Sequence, residues 1–284
     1  MNKEKIAILV DSACDVPQYL QEELPIYCAP VTIQYPNECY FDRVNITPDE
    51  VYDRLEKEIP TTSLPTGENV EKVLTQIQKD GYEKVIAFTI SSALSGTYRF
   101  IELMLEDSPL EGKVIDTKSI GIGSGLFAIE AAQLAESGRT FAEIVRTCSE
   151  TKKSKVFISL STLEYLQKGG RIGLVSAKVG QLLKVKPIIS CNHEGVYYTA
   201  AKVRGKRKRI PELLKLVDEV LDEHGQHPFV LAVAHGKDDQ AEALYEEMKE
   251  RYSHAQHIYY GDISPALGVH TGPSLLGVGI YFLG

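Results

Sequence analysis

The chain has 284 residues and a formal net charge of −8, a length that favours two domains and a charge that argues against a general affinity for nucleic acid or anionic lipid. Its five cysteines include no C-x-x-C pair, which argues against a disulfide framework and a zinc site. No signal-like region follows the basic start, and no apolar run reaches the roughly 18 residues that span a bilayer, so we expect a cytoplasmic protein without a transmembrane segment or metal.

The first half of the chain alternates apolar runs with helical patterns. Strands are predicted at 6–10, 26–33, 85–90 and 114–116, and helices from Pro17, from Thr47, after Gly67, from Ser95 and over 123–137. Thr47, Pro48 and Glu50 form a capping signature. The alternation predicts a parallel sheet with helices on both faces, and ligands of such sheets bind beyond the carboxyl ends of the strands.

The second half follows a different pattern. A helix over 141–152 leads to a strand at 156–160, and the strands at 185–190 and 196–203 flank a turn of hairpin length that contains Gly195. An antiparallel pair is therefore predicted there. Helices at 210–224 and 238–252 then alternate with apolar runs at 229–235, 258–260 and 278–283. We place a domain boundary near residue 155.

Hydroxyl-rich segments mark a candidate binding site. The strand at 85–90 runs into S-S-A-L-S-G-T-Y at 91–98, and Ser/Thr clusters recur at 60–66 and 270–274. Free backbone N–H groups and hydroxyls at a strand end suit an anionic oxygen. The alternative is that Ser95 only caps a helix. Asp11 and Asp15, after the first strand, could either orient a donor of this site or cap a helix.

Several catalytic and nucleotide-binding motifs are absent. None of the Gly-Lys pairs at 112–113, 205–206 and 236–237 precedes Ser or Thr, so there is no Walker A loop. The segment 121–126 starts like a dinucleotide fingerprint but has Leu126 in place of the last glycine. H-E-x-x-H and G-x-S-x-G are also missing. We therefore expect no nucleotide cofactor.

Three further features have both a structural and a functional interpretation. His270 lies in a stretch rich in Gly and Pro that predicts an irregular loop, a frequent place for functional residues, whereas His235 at a strand end suits a structural role. Arg171 follows a helix C-terminus at Gly169 and Gly170. The segment 202–209 has six basic residues, which fits either a solvated loop or a docking patch for an acidic partner.

Together these residues resemble the DegV family, bacterial fatty-acid-binding proteins that serve as the lipid-binding subunit of fatty acid kinase. The resemblance covers nearly the whole chain, and its specificity lies in the order and spacing of motifs that are individually weak. The matching segments are 11–12, 62–63, 91–98, 114–117, 165–173, 184–187, 203–205 and 270–273.

The resemblance implies an α/β fold in two parts: a Rossmann-like three-layer α/β/α domain with a mainly parallel sheet over 1–155, then a two-layer α/β domain with a mixed or antiparallel sheet over 156–284. It implies a long-chain fatty acid, such as palmitate, stearate or oleate, buried between the domains. The residues that it assigns to the fatty acid carboxylate are Thr62, Ser63, Ser92, Ser95, Gly96 and His270.

The resemblance also implies partners. Arg171, Arg204 and Lys206 would face the catalytic subunit of the kinase, which converts the acid to an acyl phosphate for phospholipid synthesis, with an acyltransferase downstream. The chain itself would be a carrier without catalytic residues or a cofactor. Leu64 and Ser274 depart from the residues that the family often has at these positions, Gln and Gly, and both lie beside the expected carboxylate.

Two other functions use the same residues. A serine hydrolase of acyl esters would combine Ser92 or Ser95 with His270 and with Asp11 or Asp116. A lipid-sensing regulator would keep the pocket and report to a partner other than a kinase.

Overall fold

The computed structural model describes residues 1–175 and 185–284. Its strands are β1 (Ile6–Asp11), β2 (Ile26–Ala29), β3 (Thr32–Gln34), β4 (Cys39–Phe41), β5 (Thr61–Ser63), β6 (Lys84–Thr89), β7 (Glu111–Asp116), β8 (Ser154–Ser159), β9 (Val185–Cys191), β10 (Tyr197–Arg204), β11 (Phe229–Gly236), β12 (His257–Asp262) and β13 (Leu275–Phe282). Its helices are α1 (Gln18–Glu23), α2 (Pro48–Leu55), α3 (Gly67–Lys79), α4 (Thr97–Glu106), α5 (Ile122–Glu136), α6 (Phe141–Cys148), α7 (Glu164–Lys168), α8 (Arg209–His224), α9 (Ala241–Arg251) and α10 (Pro265–Thr271).

The strands form three sheets. Sheet A has the order β2-β1-β6-β7 and is parallel throughout. Sheet B is a small antiparallel sheet in the order β4-β3-β5. Sheet C has the order β10-β9-β8-β13-β11-β12, and all its neighbours are antiparallel except β11 and β12. The predicted fold class, a mainly parallel α/β sheet followed by a mixed sheet, is confirmed.

Both faces of sheet A are covered, as the apolar character of β1 requires. Ala7 and Leu9 face a core cluster with residues of α3 and α4, whereas Ile6, Ile8 and Val10 face the cluster that contains α5. On the far side of sheet C, α8 and α9 cover β11 and β13. The layers therefore run from α3 and α4 through sheet A, α5 and sheet C to α8 and α9.

Helix α5 lies between the two large sheets. It packs on β1 and β6 on one side and on β8 and β13 on the other, so most of its residues are buried. Close approach is possible because α5 has glycines at its contacts: a Cβ on Gly123 would lie 2.9 Å from Val156 Cβ, and one on Gly125 would lie 2.4 Å from the Cys14 carbonyl oxygen. The glycines of the partial dinucleotide motif thus serve packing.

Several predicted elements have different bounds. The strand at 26–33 is divided into β2 and β3, which belong to different sheets, because Pro30 between them has no N–H for a ladder. The predicted helix at 141–152 ends at Cys148 and is followed by a 3-10 turn. The capping box at Thr47 and Glu50 is confirmed. Sheet B was not predicted, because its strands have only three residues each.

The region near residue 155 separates the sheets but does not separate two cores. Sheets A and B end at Asp116, and sheet C begins at Ser154. Helix α5 nevertheless joins residues from both halves in one apolar cluster. The boundary at residue 155 stays a prediction.

Gly125→Ala is expected to lower the free energy of unfolding by about 1–3 kcal/mol, the usual cost of overpacking a dense interior. The new methyl group would press on the backbone of Cys14, which cannot move aside like a flexible side chain. Urea denaturation followed by circular dichroism measures the effect.

Gly67→Ala is the matched control, because a Cβ there meets nothing within 4 Å. It should leave stability unchanged or raise it by up to about 1 kcal/mol. Equal denaturation midpoints for the two variants would contradict the packing role of Gly125.

Candidate functional site

A cavity of about 210 Å³ opens where the carboxyl ends of β1 and β6 meet α7, β10 and α10 of the second half. The first half of the chain contributes Ala13, Val31, Thr62, Ser63, Leu64, Ile90, Leu94, Ser95, Gly96 and Ile120 to its wall, and the second half contributes Leu166, Arg171, Tyr197, Ala266, Leu267, His270 and Thr271. Most of these side chains are apolar, and the exceptions are the hydroxyls, the imidazole and the Arg171 guanidinium. Such a wall suits a ligand with an apolar body and one polar end.

Thr62 and His270 form the central polar contact of this wall. Thr62 Oγ1 lies 2.7 Å from His270 Nε2, across a sequence separation of 208 residues. Burial and the positive charge of Arg171 lower the pKa of His270 to about 4. The imidazole is therefore neutral at physiological pH, and the pair offers hydrogen bonds without a formal charge.

His270 lies on a short helix and not in the irregular loop that its Gly and Pro neighbours predict. Ser264 caps α10 by accepting from the Leu267 N–H, Pro265 occupies the first helical position, and Gly272 follows the end with φ 69°. Ser-Pro before a helix and Gly after it are a recognisable boundary pattern. That pattern in the sequence would have identified the helix.

Two carboxylates from the first half hold the start of α10. Asp42 Oδ1 accepts a hydrogen bond from Ala266 N at 3.0 Å, and Asp15 Oδ1 accepts one from Ser264 N at 2.7 Å. Arg43 donates to the Asp262 carbonyl oxygen at 2.6 Å. These contacts fix α10, and hence His270, relative to β5 and Thr62.

Burial also changes the acidity of the carboxyl groups in this region. Desolvation raises the pKa of Asp11 and of Asp15 to about 7, against the opposing effect of backbone N–H donors. Asp11 accepts from Ala13 N and Ile90 N, at 3.0 Å each, and so joins the ends of β1 and β6. Asp11 therefore stabilises the backbone that surrounds the site.

The predicted carboxylate ligands fall into two groups. Thr62, Ser63, Ser95, Gly96 and His270 all line the cavity. Ser92 is exposed and lies outside the wall: its N–H donates to Asp116 Oδ1, and its hydroxyl accepts from Lys118 Nζ at 3.1 Å. The turn after β6 thus directs Ser92 toward β7 and Ser95 toward the cavity.

The predicted docking residues also differ in position. Arg171 lines the cavity and donates to the Gly169 carbonyl oxygen at 2.5 Å. Arg204 and Lys206 are exposed at the end of β10, and Lys206 pairs with Asp239. Arg209, the last residue of the basic stretch, is buried in an ion pair with Asp238 at 2.5 Å and is structural. Lys184, in one of the resemblance segments, lies outside the described residues.

The hydroxyls and His270 do not form a hydrolase triad among the described residues. His270 bonds to Thr62, whereas the Ser95 hydroxyl bonds to Thr97 Oγ1 at 2.8 Å. Asp116 pairs with Lys118. The buried thiol of Cys14 has a pKa raised by desolvation, which disfavours the thiolate. A binding site fits this arrangement better than a nucleophile with its base.

The described segments contain neither a candidate metal site nor a candidate membrane span. Across residues 1–175 and 185–284, no group of three or more His, Cys, Asp or Glu side chains is arranged to hold a metal ion. In the same segments no helix has both the length and the apolar character that a bilayer crossing needs.

The His270 imidazole is expected to stay neutral well below pH 6.5, its ordinary midpoint, because of burial and the Arg171 charge. An NMR titration of the ring protons should give a midpoint near 4. In Arg171→Ala the midpoint should rise, since a neighbouring positive charge is removed. A midpoint near the ordinary value in the unmodified protein would show that His270 is not buried as described.

Comparisons with known proteins agree with this fold. Residues 5–283 match the model of a family described as uncharacterised proteins of the DegV family. A DegV domain-containing protein of Clostridium acetobutylicum is 40% identical over 280 residues, which cover 98% of this chain and 99% of the relative.

Two solved structures add to the comparison. A DegV family protein of Thermus thermophilus, described as fatty acid binding, superposes with a TM-score of 0.90 at 28% identity and full coverage of both chains. A stearic-acid-binding protein of Eubacterium ventriosum has a TM-score of 0.86 at 28% identity, with 98% of each chain covered. Because the DegV family model matches residues 5–283, which are almost the whole chain, this chain belongs to the DegV family.

Proposed function

We propose that the cavity binds a long-chain fatty acid, with the carboxylate at Thr62, Ser63, Ser95, Gly96 and His270 and the acyl chain between the two sheets. The observation that carries the proposal is an apolar cavity with one cluster of neutral hydrogen-bond donors at one end. The fatty-acid-binding descriptions of two structures with the same fold support it.

The binding free energy expected for such a ligand is consistent with a largely apolar wall. A sixteen-carbon acid has about fourteen methylenes, and at about 0.8 kcal/mol each their burial offers on the order of 11 kcal/mol before ordering costs. The acyl chain can therefore supply the affinity. The polar end needs to orient the carboxylate, which hydroxyls and a neutral imidazole do without forming a strong ion pair.

We further propose that the protein presents this carboxylate to a separate fatty acid kinase. A carboxylate oxygen would attack the γ-phosphorus of ATP, ADP would leave, and the product would be an acyl phosphate for an acyltransferase of phospholipid synthesis. A carboxylate held by neutral donors keeps more of its nucleophilicity than one in a tight ion pair. Arg171 also lines the cavity, but its guanidinium donates to the Gly169 carbonyl oxygen, so we assign the carboxylate to the hydroxyls and His270, and Arg171 to the approach of the partner.

The exposed basic segment is the proposed docking surface for the kinase. Residues 204–208 are all exposed and include Arg204, Lys206, Arg207 and Lys208, in a protein whose net charge is −8. A local positive patch of this kind favours an acidic partner surface.

The lipid that co-purifies with the protein tests the binding proposal. After denaturation, mass spectrometry should find about one fatty acid per chain. Thr62→Val should lower that occupancy and weaken binding of added palmitate roughly 10-fold or more, because a buried charged ligand loses a hydrogen bond and His270 Nε2 loses its partner.

Thr61→Val is the control, because Thr61 is exposed on the same strand and does not line the cavity. It should keep the fatty acid occupancy of the unmodified protein. A delipidated protein that binds no fatty acid, or equal binding by the two valine variants, would overturn the proposed site.

The docking proposal predicts that Arg204→Glu combined with Lys206→Glu raises the apparent KM of the kinase for the loaded protein several-fold. Fatty acid occupancy should not change, since both residues lie outside the cavity wall. Lys72→Glu combined with Lys79→Glu, two exposed charge reversals on α3, is the control for net charge. Kinase kinetics that are the same for all three proteins would make the basic segment a solvated loop.

A further inference from the structure

A second, smaller cavity of about 20 Å³ adjoins the proposed fatty acid site. The two cavities share Ile120, Tyr197, Leu267 and Thr271 as walls. The remaining wall of the small cavity comes mainly from apolar residues next to α5 and on sheet C, such as Ile122, Val156 and Ile158. An acyl chain that enters from the His270 end is therefore directed toward this space.

The wall of the small cavity contains one carboxyl group, that of Asp15. Asp15 is 3% exposed, and its Oδ1 accepts from Ser264 N and lies 3.7 Å from Arg43 Nη2. Its other oxygen, Oδ2, is buried and has no hydrogen-bond partner among the described residues. A buried acceptor without a partner is costly and calls for an explanation.

Asp15 Oδ2 lies close to other residues of the wall of the small cavity. A Cβ built on Gly121 would lie 3.0 Å from Asp15 Oδ2 and 3.3 Å from Leu267 Cδ1, and both Gly121 and Leu267 line the small cavity. Tyr197, which is also in this wall, is buried, and its pKa is raised by burial and then by the neighbouring Cys191 and Asp15. Asp15 and Tyr197 thus lie beside the space that adjoins the proposed fatty acid site.

We propose that Asp15 forms a subsite for a polar substituent on the acyl chain, a hydroxyl or an oxo group, so that the protein accepts oxygenated fatty acids. This inference rests on the proposed fatty acid site. A ligand hydroxyl can donate to the carboxylate or accept from the protonated acid. An oxo group can only accept, and therefore needs the protonated acid.

The first experiment measures the affinity of the delipidated protein for stearate and for a series of hydroxystearates that differ in hydroxyl position. In a wholly apolar channel each hydroxyl would lose its water and weaken binding roughly 5- to 150-fold. We expect no such loss of affinity for the one isomer whose hydroxyl reaches Asp15. The other isomers should bind more weakly than stearate.

The second experiment uses the oxostearate of the favoured position and varies the pH. Burial raises the pKa of Asp15 to about 7, against the lowering effect of Arg43. The other titratable groups that interact with Asp15 are Asp42, Tyr52, Tyr197, Cys14 and Cys28. Relative to stearate at the same pH, oxostearate should bind more weakly as the pH rises through about 7, because Asp15 loses the proton that it donates.

Asp15→Asn should abolish this pH dependence, since the amide can accept from Ser264 N with its oxygen and donate with its nitrogen at every pH. Glu130→Gln is the matched control: Glu130 is 7% exposed and its pKa is raised by burial, but it lines neither cavity and is not among the groups that interact with Asp15. It should keep the pH profile of the unmodified protein.

Stearate binding separates this inference from the proposed function. If stearate does not bind, the fatty acid site itself is wrong. If stearate binds but every hydroxystearate is weakened alike, or if Asp15→Asn keeps the pH profile of the unmodified protein, the subsite is wrong and the fatty acid site stands.

Discussion

The structure depends on the burial of α5 between two sheets. A helix that is apolar on all sides must be covered on all sides, and here each half of the chain supplies one cover. The glycines at 123 and 125 bring the helix within contact of the backbone after β1 and of β8. Because both sheets are fixed to one helix, the turns that follow β1 and β6 are held opposite α7, β10 and α10, and the cavity lies between them.

This arrangement explains how residues far apart in sequence form one binding surface. Thr62 comes from the small sheet B, Ser95 from the turn after β6 and His270 from α10 near the other end of the chain. None of these elements is long enough to set its own position. Asp15 and Asp42 hold α10 by its first N–H groups, and Asp11 holds the turn after β6. Buried carboxylates therefore position the hydroxyls and imidazole that face the ligand.

Local sequence signals predicted the large elements well, because those signals reflect burial and capping. The apolar runs of β1 and β6 and the capping box of α2 are examples. The three-residue strands of sheet B carry too little pattern to be recognised. The sequence contains signals for two further features that are not among the predictions. Pro30 indicates the division of the strand predicted at 26–33, and the Ser-Pro pair indicates the start of α10.

The site residues were predictable as a group, whereas their orientation was not. The resemblance named Thr62, Ser95 and His270, and the cavity contains all three. It also named Ser92, which points away, because the direction of a side chain in a turn depends on backbone angles that spacing does not specify. The sequence indicates Asp15 only as a cap or as a group that orients a donor. Its contact with a cavity is not predictable from sequence, because that contact arises from the packing of α5 and α10.

The buried carboxyl groups also give the chain an unusual relation between acidity and folding. Asp11 and Asp15 have pKa values raised to about 7 from the ordinary 3.8, so between these values the folded chain retains protons that the unfolded chain has released. Their contribution to stability is full below the ordinary value and is lost as the pH rises through about 7. His270, with its pKa lowered to about 4, acts in the opposite sense: its contribution is present above 6.5 and is lost as the pH falls through 4. At a mildly acidic pH that charges the histidine of the unfolded chain, the folded chain thus keeps His270 neutral and Asp11 and Asp15 protonated.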